Sequence, residues 1–134
     1  MGFKEKLKEK RLEANLSQAQ LAKKVSVSTR TIQNYELGSR KPRNFEIVER
    51  IAAALNTSAE SLLETQDMII ISAHEKGGTM AAREINDLVS EVTGLFAGGE
   101  LSEESLDGAM KALSDAYWIA KEKNKKYAPK HKSQ

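Results

Sequence analysis

The chain has 134 residues, 40% of them hydrophobic, and a formal net charge of +2, enough for one domain or two small ones with a modest core. Cysteine is absent, which excludes a disulfide framework, a thiolate metal centre and a cysteine nucleophile, and suits a reducing compartment. The longest apolar run, around residues 68–73, falls far short of the roughly 20 residues a membrane-spanning helix requires, and no secretory pattern opens the chain, so a cytoplasmic protein without membrane contact is expected.

Acid and base are segregated along the chain. Residues 1–66 carry 12 Lys/Arg against 8 Asp/Glu, residues 67–120 carry 3 against 10, and residues 121–134 carry 6 against 1. A basic first segment suits contact with phosphates, whereas an acidic middle would be repelled by a polyanion and suits a different task.

The first predicted helix runs from about Phe3 to Ala14, with Phe3, Leu7, Lys10, Arg11 and Ala14 on its inward stripe. Ser17 followed by Gln20 forms a capping box, and Leu21, Ala22 and Val25 recur on one face of a second helix ending near Val25. Ser26 and Val27 make a tight turn. Ser28 caps a third helix over Thr29–Leu37, and Gly38 supplies the left-handed residue that ends it. Ile32 and Tyr35 anchor this helix inward, leaving Thr29, Arg30, Gln33 and Asn34 outside. Pro42 interrupts the chain, Asn44 caps a fourth helix with a stripe of Ile47, Val48, Ile51, Ala52 and Leu55, and Thr57 with Glu60 opens a short fifth one burying Leu62 and Leu63.

In the second half, the apolar run Met68–Ile71 fits a buried strand or the apolar side of a helix; no partner strand is visible, which favours helix, while the β-branched residues favour strand. Gly77–Gly78 is expected to break the chain. Helical spacing then resumes from Thr79 to Ala97 and from Ser102 to about Lys123, linked by a turn at Gly98–Gly99. Such a helical hairpin cannot bury both its faces unaided, so it needs something to pack on. The lysine-rich end reads as a frayed helix and flexible tail. The organisation expected is therefore a helical domain over 1–66, a helical dimerisation or interaction region over 67–120 and a basic tail over 121–134.

The pattern from Ser17 to Leu55 resembles the helix-turn-helix domain of the phage repressor, Cro and xenobiotic-response-element family. The resemblance implies an all-α, five-helix DNA-binding domain whose third helix lies in the major groove, with Thr29, Arg30 and Asn34 matching the base readers and Gln33 and Thr31 as secondary candidates. Side-chain chemistry agrees: arginine offers a bidentate fork to guanine, asparagine pairs with adenine, and a threonine methyl touches thymine. By the same resemblance Gln18 grips the DNA backbone, helped by Ser28 and the basic loop residues Arg40, Lys41 and Arg43. Helix N-termini and basic loops favour phosphates on physical grounds as well. Arg11 and Glu36 match positions that join the first helix to the third through an ion pair. The departures are Ser26, often glycine in the family, and Leu37, where a polar residue is more usual. The stretch Leu95–Ser102 with Ala116–Tyr117–Trp118 is more loosely similar to the tails of regulators on bacterial mobile elements, which implies no chemistry.

Enzymatic chemistry finds little support. His74 and His131 are the only imidazoles, and His74–Glu75 lacks the second histidine a zinc protease helix needs. Glu103 and Glu104 sit where a helix N-terminus favours negative charge, and no glycine-rich phosphate loop is present. The expected protein is a non-enzymatic transcriptional regulator without cofactor or metal, a repressor binding double-stranded operator DNA as a homodimer through residues 67–120. The alternative is an antitoxin or adaptor whose acidic half covers a protein partner and whose DNA binding is autoregulatory.

Overall fold

The computed structural model describes residues 2–96 and 102–127. Seven helices and no strand occur among them: α1 (Phe3–Glu13), α2 (Gln18–Val25), α3 (Thr29–Leu37), α4 (Phe45–Ala54), α5 (Ala59–Leu62), α6 (Thr65–Phe96) and α7 (Glu103–Tyr127). The all-α reading holds, and Met68–Ile71 lies in α6 rather than in a strand. No described helix is long and apolar enough to cross a membrane.

Local chemistry sets the boundaries of the first helices. Ser17 accepts the Gln20 N–H at 3.0 Å while the Gln20 side chain accepts the Ser17 N–H at 2.8 Å, closing the expected capping box. Ser28 and Asn44 cap α3 and α4 by accepting from the Thr31 and Ile47 N–H groups. Left-handed residues follow the helices: Asn15 after α1, Ser26 (φ 64) after α2, Gly38 (φ 83) after α3 and Asn56 after α4. Ser26 thus adopts the turn for which glycine is the easier residue, at a modest conformational cost. At Gly38 a Cβ would also fall 2.9 Å from the Lys4 side chain.

One boundary differs from expectation. The cap of α5 is Ser58, which accepts the Ser61 N–H at 3.2 Å, and Thr57 instead places its hydroxyl 2.6 Å from that of Ser61. Both residues are hydroxylic, so composition at the cap could not separate them.

The chain forms two compact units, Met1–Ala82 and Arg83–Gln134. In the first, the apolar stripes of α1 to α5 converge on one core that includes Leu7, Leu21, Ile32, Val48, Ile51 and Leu62, all fully buried. Phe3 meets Tyr35 edge-on with centroids 5.8 Å apart, which ties α1 to α3. Ile71 joins the same core and Met68 packs against it, so the start of α6, placed beyond residue 66 by the sequence, folds onto the five-helix domain.

Helix α6 carries on through Gly77 and departs from helical geometry at Gly78, at φ 79 and ψ −168. That region of backbone space is open essentially to glycine alone, so the kink is tied to the residue. In the second unit Ile85, Val89 and Met110 are buried, and Tyr117 on α7 donates to Glu84 on α6 at 2.6 Å. Lys121 lies 3.3 Å from the same carboxylate. Hydrogen bonds from Tyr117 and Lys121 hold the Glu84 carboxyl below its ordinary range. Residues early in this part of α6 thus meet residues late in α7, the antiparallel pairing expected of a hairpin. The Gly98–Gly99 turn and residues 128–134 of the basic tail lie outside the described residues.

Candidate nucleic-acid interface

The surface of α3 follows from its register. At about 100° per residue, Ile32 and Tyr35 define the inward direction, and Arg30, Gln33, Asn34 and Leu37 project the opposite way with Thr29 and Thr31 at the flanks. Accessibility matches: Ile32 and Tyr35 are buried, Thr29, Thr31 and Asn34 half-buried, and Arg30, Gln33 and Leu37 exposed. Asn34 is steadied by Ser39, whose hydroxyl lies 3.3 Å from both the Asn34 side-chain and main-chain oxygens, which leaves the amide NH2 directed elsewhere. Ser28 and Thr31 engage each other, hydroxyl to hydroxyl, at 2.8 Å.

An ion pair locks this helix from behind. Arg11 on α1 donates through Nε to Glu36 Oε2 at 2.6 Å, through Nη2 to Oε1 at 3.0 Å and through Nη1 to the Leu16 carbonyl at 2.8 Å. The pair is almost fully shielded, with side chains 9% and 5% exposed. Burial by itself would push the Glu36 carboxyl up, but the hydrogen bonds from Arg11 and Gln18 outweigh it and hold the group below its ordinary value. The Arg11 guanidinium is correspondingly shifted up by its hydrogen bond to Glu36. Gln18 donates its side-chain N–H to Glu36 at 3.0 Å, so the first residue of α2 is fastened to the end of α3. Lys8, Arg11, Gln18, Gln33, Glu36 and Leu37 line a cleft of about 480 Å³ beside the outward face of α3.

On the other side of α3, a cleft of about 320 Å³ is lined by Thr31, Tyr35, Arg40, Lys41, Arg43, Asn44, Ile47 and Arg50. The three basic residues expected in the loop are exposed and brought together there, and Arg50 joins them from the second turn of α4. Arg50 escaped the sequence reading because it lies on a helix and has Glu46 within 3.9 Å, the signature of an ordinary surface pair. Burial pushes the Tyr35 phenol up, opposed in part by Arg40 and Arg43.

Two acidic side chains from α6 also reach this region. Lys41 lies 3.7 Å from Asp67, a buried carboxylate that additionally accepts the Glu64 N–H at 3.0 Å. Glu75 accepts the main-chain N–H of Phe45, the first residue of α4, at 2.8 Å. Burial and the nearby Arg43 hold the intervening His74 below its ordinary pKa. No cluster of three or more metal-ligating side chains occurs among the described residues.

Comparison with known proteins agrees with this geometry. The family described as Helix-turn-helix matches residues 7–62, from the buried Leu7 of α1 to the end of α5. The immunity repressor protein of Bacillus phage phi105 is 28% identical over 133 residues, covering 94% of this chain and 92% of that protein. No solved structure gives a significant match.

Proposed function

We propose that the chain, whose residues 7–62 match the helix-turn-helix family, is a transcriptional repressor of the phage repressor and Cro type that reads double-stranded operator DNA as a homodimer in the cytoplasm. The observation that carries this reading is the outward face of α3: Arg30, Gln33 and Asn34 project from a helix whose reverse side is fixed by Ile32, Tyr35 and the Arg11–Glu36 pair. Arg30 suits guanine, Asn34 adenine and Thr29 the thymine methyl, with Gln33 and Thr31 adjoining. Gln18, Ser28, Arg40, Lys41 and Arg43 are assigned to phosphates, which position the protein without reading sequence. The likeness over nearly the whole chain to a protein named as an immunity repressor supports repression.

The dimer is assigned to residues 67–120. Supporting it, Met80, Leu95 and Ile119 are 65%, 81% and 60% exposed, apolar side chains that pairing would cover. Two readers held about 34–36 Å apart match half-sites one helical turn apart. The test is selection of bound duplexes from a random pool by the full chain, repeated with Arg30→Ala. A recovered motif with twofold character, and loss of preference at one base pair of each half-site in the variant, is expected. Failure to enrich any sequence, or a uniform loss at all positions, would remove the base-reading assignment. Light scattering on the intact chain checks the homodimer independently.

A further inference from the structure

One contact of the first unit that DNA binding leaves unexplained is the seat of Glu75. Its carboxylate occupies the amino end of α4, next to the loop carrying Arg40, Lys41 and Arg43, and a helix amino end with basic neighbours is where a phosphate of duplex DNA would be favoured. We propose that the first half of α6 is an acidic strap across the phosphate-gripping loop, in which Glu75 stands in for a DNA phosphate and must leave the Phe45 N–H when the duplex docks. The inference rests on the DNA-binding reading above and adds to it an intramolecular brake on affinity.

The two ends of the strap differ in kind. Asp67 is 7% exposed and holds the Glu64 N–H as well as Lys41, so it is built into the turn that starts α6 and stays in place. Glu75 is exposed, lies two turns further along and reaches the α4 end from a position 30 residues away in sequence. An exposed carboxylate with a single solvent-facing N–H is an exchangeable partner, since water or another anion can take its place at little cost. His74 beside it stays neutral to lower pH because of burial and Arg43, so the strap delivers negative charge to the loop without a neighbouring positive one from His74. DNA therefore meets a loop already partly neutralised, and its binding is weakened for every sequence alike, because the displaced contact is to a phosphate site.

The experiment measures binding of the full chain to a labelled mixed-sequence duplex by anisotropy at low and moderate salt, comparing wild type, Glu75→Gln and Arg40→Ala. Glu75→Gln is expected to bind about two- to fivefold more tightly, on this duplex and on unrelated ones to the same degree, the scale of an exposed anion at a helix amino end. Equal or weaker binding by Glu75→Gln, with Arg40→Ala weaker than wild type, overturns the strap while leaving DNA binding intact. Absence of binding by wild type and Glu75→Gln alike at low salt overturns the DNA reading and the strap together. Should Glu75→Gln fold poorly, the wild-type protein supplies the second readout: the Phe45 amide and the Glu75 side-chain carboxyl resonances are expected to move on saturation with duplex. If both stay unmoved, the exchange does not occur and the strap is overturned.

Discussion

The two compact units solve the burial problem differently. In the unit ending at Ala82, five helices and the start of a sixth send their apolar stripes into one core, and an ion pair closes the edge of it. In the unit beginning at Arg83, two helices bury Ile85, Val89 and Met110 between them while Leu95 and Ile119 stay in solvent. A helix pair has one mutual seam, and whatever apolar surface lies off that seam stays exposed until something else covers it. The first unit is thus held by packing within the chain, which fixes the inward side of α3, whereas the second unit leaves apolar side chains exposed.

The largest loss of stability is expected from Ile32→Ala, at a fully buried position on the inward side of α3, which should cost about 2–5 kcal/mol in chemical denaturation. Arg11→Ala should follow at about 3 kcal/mol, since it leaves the Glu36 carboxylate shielded and without its main partner. The same pair predicts a pH dependence. Because the folded Glu36 carboxyl lies below its unfolded value, its contribution is fully present above the ordinary carboxylate range and is lost as pH falls through the folded value. Denaturant titrations from pH 7 downward should show that loss in wild type and less of it in Glu36→Gln.

Gly78→Ala is expected to cost about 1–3 kcal/mol, because the kink occupies backbone space that a Cβ resists although nothing lies within 4 Å of it. An alternative outcome, a straightened α6 with a longer helix by hydrogen exchange, would place the cost in altered geometry instead of stability. The smallest effect on folding is expected at Leu95→Ser and Ile119→Ser, within about 0.5 kcal/mol for surface positions, and under the proposed homodimer these variants should move toward monomer by light scattering. If self-association is unchanged, the exposed residues of the second unit serve something other than pairing.

Much of the fold was legible where the determining chemistry is local. Ser17 with Gln20, Ser28 and Asn44 are caps whose partners lie three residues away, and each closed as its spacing implied. The stripe of Ile47, Val48, Ile51, Ala52 and Leu55 is buried throughout, as its period requires. Family resemblance supplied the Arg11–Glu36 pair across 25 residues, which spacing alone does not encode. The two readings of Met68–Ile71 were separated by packing, since Ile71 finds the core of the first unit and so needs no neighbouring strand.

Capped, amphipathic helices and the identity of the side chains that the short α3 displays follow from local order along the chain, because both depend on interactions a few residues long. Packing between distant segments brings Arg50 to the basic loop, the start of α6 into the first unit, and Asp67 and Glu75 to Lys41 and the amino end of α4. Those contacts join segments distant along the chain, and their energy arises only once the core has brought the helices together, so no periodicity or cap signal announces them.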